Sequence, residues 1–457
     1  MLRMFNGLKR GLAALLLLFF VFSLSSCASS SRYQSQLNDF ITHHNYAQAQ
    51  SFLGDNPRLY GSRNTLLYFL DKGFILQLSR DYKKSIDTFE KSKSTFDALY
   101  TKSITGILST WVINDYMAAY RGEDFERVMI NIFQSLNYLM LGNLGEALVE
   151  ARDVDSRLNL INSRYKANEK NAYKEDAFAR FFMGILYEAE KTREGYNNAF
   201  ISYAKAVETY ESDYAGNYNL DAPIVLKENI LAAAKFMGFM EFEKYRAKYP
   251  KVNFLSLEEK AKKAEVYLVQ YNGLFPEKVE NMLPVPFPDG YIVKYAFPSY
   301  LRRLYSTRAA IFSAKNKRNE SFEAETQLGE DIGAIAIKNL DDRKVRFIAK
   351  EIARSTGKYL IERKQGETIR KRYGDTAGSV FKIFSSLFNI FTSNADLRSW
   401  QTLPAEIRIA RLVLEPGEYD LSAVDLDAQN QSLGRIDLGK VNLAAGEKRF
   451  FVIRSVR

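Results

Sequence analysis

The sequence predicts an α+β protein: an N-terminal α-helical solenoid, then a small β-sandwich-like domain with inserted helices. Three observations carry this. Between about 32 and 250, apolar residues recur at helical spacing in paired segments split by short polar turns. From Glu265 onward, β-branched and aromatic residues alternate up to Asn-Gly, Asp-Gly and Pro-Gly turns. Residues 328–395 return to helical periodicity, so strands are expected at 264–326 and 404–457 within a mixed domain of 255–457. The composition is that of a folded chain, 46% hydrophobic and 14% aromatic with ten prolines. Its 457 residues allow two or three domains.

Residues 1–26 read as a secretory signal. Arg3, Lys9 and Arg10 precede an apolar run from Leu12 to Phe22. That run is about half the ~20 residues a membrane-spanning helix needs. Leu24-Ser25-Ser26-Cys27 resembles the lipobox of bacterial lipoproteins. The resemblance implies that Cys27 carries acyl chains on its sulfur and freed amine, and that 27–31 is a lipidated tether. Acyl chains anchor by burying methylenes, each contributing roughly 0.8 kcal/mol. Ala28 in place of Asp implies export to the outer membrane, facing the periplasm. An ordinary secreted protein with an incidental cysteine is the alternative.

Cys27 is the single cysteine, so a lipidated chain has no disulfide, thiolate ligand or cysteine nucleophile. His43 and His44 are adjacent, point apart on a helix, and read as a solvated helix end. The net charge is +10, of which the signal holds three, leaving +7. Behind a signal this suits anionic lipid or an acidic protein partner, and not nucleic acid. No phosphate loop, Gly-x-Ser-x-Gly elbow or His-Glu-x-x-His pair occurs. No catalytic residue, metal or cofactor is expected. A hydrolase using carboxylates alone stays open, because two acids on separate segments leave no spacing to read.

The clearest helical unit runs from Leu66 to about Lys93. Phe69, Gly73, Leu76, Tyr82, Ser85, Ile86 and Phe89 keep helical spacing around a break at Ser79-Arg80-Asp81. Gly73 allows two helices to approach closely. The pattern resembles a tetratricopeptide repeat, a helix-turn-helix unit of about 34 residues. Asn45-Tyr46 anticipates Asp81-Tyr82 at an offset of 36 residues. Phe133 to Arg152 turns at Gly142-Asn143. Phe178 to Val207 is a further unit with about three extra residues at Thr192 to Tyr196. Pro223 opens a last helix pair that ends at Tyr249-Pro250. No unit has the full signature, so an irregular bundle is the alternative. Such solenoids present a concave face to peptides or proteins.

Tyr120 to Arg127 stands apart from the repeats. Asp124 is placed to cap a helix beginning at Phe125. Asp124, Phe125 and Arg127 are candidate interaction or structural residues. Glu150, Arg152, Asp153, Asp155 and Arg157 crowd one helix, as ion pairs on its face or as carboxylates for acid–base chemistry.

In the second half Val266 to Tyr271 reads as a strand ending at Asn272-Gly273. Prolines 276, 284, 286 and 288 read as a connection. Tyr291 to Phe297, Ala309 to Ala314 and Ser321 to Thr326 read as strands. Two helices follow, Asp331 to Asn339 and Asp341 to Arg363. An apolar helix from Ala377 to Phe391 sits beside Arg370, Lys371 and Arg372. It is too short to span a bilayer. It either lies on anionic lipid through Phe384 and Phe388 or packs under the β-domain. Ile407 to Leu414 and Tyr419 to Leu426 read as one hairpin, Arg435 to Leu443 and Lys448 to Val456 as another. This spacing suggests a sandwich.

Gly122 to Arg127, Leu328 to Lys358 and Ala395 to Pro404 resemble segments shared by a family of bacterial outer-membrane lipoproteins with tetratricopeptide-like repeats. The resemblance covers nearly the whole mature chain and implies a helical N-terminal part and an outer-membrane address. It brings no activity. Members are often encoded beside lipoproteins resembling activators of penicillin-binding proteins, which points to envelope work by association alone. Asp396, Arg398 and Trp400 either brace and plug the β-domain or offer an indole platform to a sugar. The expected function is a lipid-anchored, non-enzymatic protein–protein interaction scaffold for envelope biogenesis or maintenance. Its partners would be the bilayer through acylated Cys27 and an envelope protein. The alternatives are a peptidoglycan- or glycan-binding module and an accessory lipoprotein of a secretion or transport complex.

Overall fold

The computed structural model describes residues 33–55, 57–105, 118–164, 173–286, 292–344 and 395–457, with 364, 368 and 371 as isolated helical positions. The signal and tether with Cys27, and the 377–391 stretch with Phe384 and Phe388, lie outside the described residues.

The first half is made of helix pairs: α1 (33–42) with α2 (Tyr46–Leu53), α3 (Thr65–Leu78) with α4 (Tyr82–Thr105), α5 (Asp124–Met140) with α6 (Leu144–Arg164), and α7 (Ala177–Ala189) with α8 (Arg193–Thr209). The four pairs turn alike. A left-handed residue follows each first helix: His44, Arg80, Gly142 and Lys191. A short polar residue comes next: Asn45, Asp81, Asn143 and Thr192. In the first three, that residue's N–H donates back to Phe40, Leu76 and Tyr138 carbonyls at 2.7–2.9 Å. This satisfies a carbonyl the helix end leaves free. Asn143 and Thr192 then accept from the backbone N–H three residues on, capping α6 and α8. Thr192 to Tyr196, read from sequence as extra residues, are thus the cap and first turn of α8.

Small residues let each pair close. A Cβ on Gly73 would sit 2.7 Å from the Phe89 ring, and one on Gly184 would enter the Tyr203 ring. After α8 a π-helical turn, Tyr210–Tyr214, leads into α9 (Ala215–Tyr218). Then come α10 (Ile224–Met237), α11 (Phe239–Lys248) and the short α12 (Leu257–Lys260).

The strands are β1 (Ala264–Asn272), β2 (Glu277–Pro286), β3 (Ile292–Leu301), β4 (Ala309–Asn316), β5 (Ser321–Glu325), β6 (Gln327–Asp331), β7 (Glu406–Leu414), β8 (Gly417–Leu426), β9 (Ser432–Leu443) and β10 (Lys448–Ser455). One sheet runs β10-β1-β7-β6, with β10 parallel to β1. The other runs β5-β4-β8-β9, and β2 with β3 forms a separate ribbon. The sandwich core lies between the sheets: Val266 and Leu268 of β1 and Leu412 of β7 meet Phe312 of β4 and Leu421 of β8. The opposite face of the first sheet joins the helical core. There Tyr271 of β1 lies 5.5 Å from Phe74 of α3 and 5.3 Å from Phe133 of α5, between ring centres. Phe450 of β10 meets Phe182 of α7. The molecule is therefore three layers, with α3, α5 and α7 lying against a sheet that backs onto a second sheet.

Four sequence expectations are corrected. Neither C-terminal hairpin forms: β7 pairs with β1 and β6, β8 with β4 and β9, and β10 with β1. Each presumed turn crosses between sheets, so Leu412 and Leu421 face each other across the core instead of lying side by side. Period-two alternation is identical in both arrangements. Of the proline-rich stretch, Pro284 and Pro286 lie in strand β2, Pro276 precedes it, and Pro288 lies outside the described residues. In a two-stranded ribbon every strand is an edge, so the missing N–H of Pro284 and Pro286 is tolerated. Residues 332–344 form one helix, α13, without a break after Asn339, because Leu340 is buried in line with Ile332, Ile335 and Ala336. Helix α5 starts at Asp124 with Glu123 as its cap, one residue earlier than expected.

Gly184→Ala should destabilise the fold by about 1–3 kcal/mol, because its methyl group must displace Tyr203. Gly216→Ala, which meets nothing within 4 Å, should be neutral or gain about 0.5–1 kcal/mol. Thermal midpoints of the two variants read the contrast. Equal midpoints would show that the close helix approach at Gly184 is not needed.

Candidate functional site

Segments 118–127 and 395–405 meet across the helix–sheet boundary. The Trp400 backbone N–H donates to Glu126 Oε1 at 2.9 Å, between residues 274 apart in sequence. Glu126 also accepts from the Glu123 backbone N–H at 2.9 Å and from the Tyr120 hydroxyl at 2.7 and 2.8 Å. Glu123 in turn takes Lys278 Nζ of β2 at 3.1 Å and pairs with Arg343 of α13. Lys278 donates as well to the Arg398 carbonyl at 2.9 Å. Helix α5, the ribbon, α13 and the segment before β7 are thus clasped at one point.

The indole of Trp400 is fully buried. Its ring lies 6.2, 6.0 and 5.7 Å from Phe74, Phe89 and Phe133. Its Nε1–H donates to Thr402, whose hydroxyl donates to Asp71 of α3, and Tyr60 donates to the other Asp71 oxygen. Trp400 therefore fills the joint between helices and sheet, not the β-sandwich interior where the sequence placed it. No ring face is left for a sugar to stack on.

Two acids one helical turn apart are driven in opposite directions. Burial, reinforced by the Glu123 charge, pushes Glu126 up to about 7. Glu123 is buried too, but Arg343 and Lys278 outweigh that and hold it down to about 2. Burial pushes Asp71 up to about 6 against the hydrogen bonds from Thr402 and Tyr60. Raised carboxylates of this kind serve as general acids where they reach a substrate proton. Here both oxygens of Glu126 are occupied and the side chain is enclosed, so the arrangement binds elements together.

A second charged joint lies farther along the sheet. Lys260 and Lys448 each reach Glu188 of α7 at 2.8 Å, and Lys448 also pairs with Glu265 of β1. Arg411 of β7 reaches Glu265 at 3.0 Å and pairs with Glu228 of α10. Tyr203 and Tyr267 donate to Glu188 and Glu265. Beyond it, Tyr210 and Tyr214 of the π-turn donate to Gly329 O and Glu330 of β6.

The residues singled out from sequence separate into groups. Arg398 is fixed by Asp396 at 2.6 and 2.8 Å, and it donates to Asn64 and to the Ala118 carbonyl. That pair braces the segment leading to Trp400. Phe125 packs against Phe275, while Arg127 turns away to Asp97 and lies over the Phe96 ring. Asp124 occupies the first turn of α5. The charges on α6 bridge helices more than they run along one: Glu150 to Lys93, Arg157 to Asp97, Asp155 to Arg180 and Arg152 to Glu190. His43 and His44 are exposed at the end of α1. Sequence reasoning passed over Glu123, Glu126, Asp71 and Lys278. The Glu-x-x-Glu spacing at a helix start and an acid inside the apolar α3 were the available signals. For Lys278 there was none. Among the described residues no group of three or more metal-ligating side chains gathers, and no helix is long and apolar enough to cross a membrane.

No protein-family model matches the chain, and no curated protein is significantly similar to it. Among solved structures it is similar to a Podosopora anserina putative kinesin light chain with nearly identical TPR-like repeats. The TM-score is 0.29 at 9% identity, over 48% of this chain and 96% of that one. The repeat character of the helices rests on their own turns and close contacts.

Trp400→Ala should cost about 3–5 kcal/mol, as for a large aromatic removed from a packed core; a thermal midpoint within a degree of wild type would contradict the plug. Glu126 binds its proton more tightly folded than unfolded, since its ordinary value lies near 4.5 and its folded value near 7. Its contribution is full below pH ~4.5 and is lost as pH rises through 7. Relative to Glu126→Gln, the wild type should lose about 1–3 kcal/mol between pH 4.5 and 8. Denaturation curves at both pH values measure this; parallel pH profiles would rule it out.

Proposed function

We propose that the chain is a lipid-anchored, non-enzymatic interaction scaffold of the bacterial envelope, tethered through Cys27 at the periplasmic face of the outer membrane. The observation that carries this reading is where apolar surface is left uncovered. The inner face of α3, α5 and α7 is covered by the protein's own sheet, so the concave-face docking expected from sequence has no room. Exposed apolar side chains gather instead at the turn from α10 to α11: Phe236, Met237, Phe239 and Met240, the last two 74% and 76% exposed. Gly238 at φ 145° makes the corner between these helices. Phe and Met are enriched at protein interfaces, and the occupant proposed here is an apolar groove on an envelope protein. The outer-membrane address and the envelope role rest on the lipobox and family resemblances.

In-cell crosslinking of the tagged full-length chain, followed by mass spectrometry, tests this. One dominant envelope protein should be recovered. Its yield should fall about tenfold in Cys27→Ala and in the Phe239→Ser/Met240→Ser double variant, on the order of 1.4 kcal/mol of binding. The double variant should keep the wild-type thermal midpoint. Recovery that ignores the double variant would remove this turn as the docking site. Muropeptides without a protein would replace the scaffold reading with a glycan-binding one.

A further inference from the structure

From Cys27 to Tyr33, the first described residue of α1, the chain runs six residues. Fully extended, that length reaches at most about 22 Å. With acyl chains on Cys27 in the bilayer, the start of α1 is held within that distance of the lipid headgroups. Tyr33 is buried, and its ring centre lies 4.3 Å from that of Tyr60. Tyr60 closes the helical turn Pro57–Tyr60, and Ser62–Asn64 is a second short turn. The Tyr120 backbone N–H donates to the Arg63 carbonyl at 2.8 Å, which lays residues 118–121 against these turns. Arg398 pins both segments, donating to Asn64 Oδ1 at 3.0 Å and to the Ala118 carbonyl at 2.9 Å. The surface that receives the start of α1 is thus fixed to the joint around Trp400.

Three exposed arginines stand on this surface: Arg58 in the first turn, Arg63 in the second and Arg121 next to Tyr120. The acids around them are fewer or engaged. Asp55 pairs with Lys72 at 2.5 Å, Asp396 pairs with Arg398 at 2.6 Å, Asp71 and Glu123 are buried, and Asp124 is half-buried in the first turn of α5. The surface is therefore cationic where covalent geometry brings the bilayer. A membrane's surface potential falls off within a Debye length, about 8–10 Å at moderate salt, so only charges held close to it act, and a short tether holds these close. The helix pairs stack in chain order, α2 on α3, α4 on α5, α6 on α7 and α8 on α10. The exposed α10–α11 turn is at the other end of that array. We propose that Arg58, Arg63 and Arg121 bind the headgroups of an anionic phospholipid bilayer, so that the chain stands on the membrane by its first helix pair with the α10–α11 turn directed away from it. This rests on the Cys27 anchor and deepens the scaffold reading, because it fixes which end of the array is presented to a partner.

The test uses the mature, acylated chain in nanodiscs of phosphatidylcholine alone or of phosphatidylcholine mixed with phosphatidylglycerol. Mass spectrometry of the Cys27 peptide is read first. A fluorophore is then placed at Ser62→Cys, between the arginines, or at Ala247→Cys on α11; both positions are exposed. Spin-labelled headgroups quench a fluorophore that lies at the bilayer surface. Quenching at Ser62 should be severalfold stronger on the anionic discs than on the neutral ones, and Ala247 should be quenched on neither. The triple variant Arg58→Gln/Arg63→Gln/Arg121→Gln should lose the difference between the lipids, since three charges at about fivefold each shift the contact equilibrium on the order of a hundredfold. In the wild type, ~1 M salt, where the Debye length is ~3 Å, should remove the same difference without any substitution. An unmodified Cys27 would remove the anchor and this inference with it. With Cys27 acylated, three results would overturn the inference and leave the anchor standing: equal quenching at Ser62 on both lipids, a difference that survives both the triple variant and salt, or quenching at Ala247.

Discussion

Strand β1 is buried on both faces, and the two cores of the protein meet in it. Val266 and Leu268 belong to the sandwich, while Tyr267, Val269 and Tyr271 belong to the helical array. A strand flanked on both sides has no solvent face, so its neighbours must supply complementary surfaces in register. That condition sets the order of layers. The hydroxyl of Tyr271 donates to Gln77, and Gln77 donates to the Phe133 carbonyl and to Asn137. Asn137 donates to Ser85, which donates to the Gly73 carbonyl. One buried chain of hydrogen bonds thus runs from the sheet through α3, α4 and α5. Each member is satisfied by the next, which avoids the cost of an unpaired buried group.

Charges are used at the same boundary. Glu123 with Lys278 and Arg343, and Glu188 and Glu265 with Lys260, Lys448 and Arg411, sit where helices meet strands. Desolvating such ions offsets much of their attraction, so their net stabilisation is small. Breaking one side of a pair is costly, because the partner is left buried and alone. Such joints discriminate against misplacement of the layers more than they add stability. Arg454 lies at this boundary too, held by the Tyr271 carbonyl at 3.0 Å in place of a carboxylate.

The helix pairs were legible because their cause is local. Gly73, Gly184, Asn143 and the polar residues after each left-handed turn act within a few residues of themselves, and periodicity exposed the packed face. Strands β1, β3, β4, β5 and β7 to β10 were legible from their β-branched and aromatic runs and the turns between them. Their pairing was not, since Glu415-Pro416 and Ala444 to Gly446 serve equally as hairpin turns and as crossings between sheets. Proline marked β2 as irregular because the absence of a third strand beside it cannot be read from sequence. Of the candidate residues, Trp400, Asp396 and Arg398 were found as an unusual local group. Their partners Glu126, Asp71 and Lys278 were passed over because each resembles an ordinary surface charge until the chain is folded.

The sequence by itself determined the α+β class, the helix pairs and their turns, and the segments able to be strands. All of these follow from spacing and from the conformational limits of glycine, proline and short polar residues. Only the tertiary structure decided which face of the helices is covered, which strands share a sheet, and which buried charges have partners. Those depend on contacts between residues hundreds of positions apart, such as Trp400 with Glu126 and Tyr271 with Arg454. Burial changes the free energy of a charge by its surroundings, and no spacing along the chain encodes those surroundings.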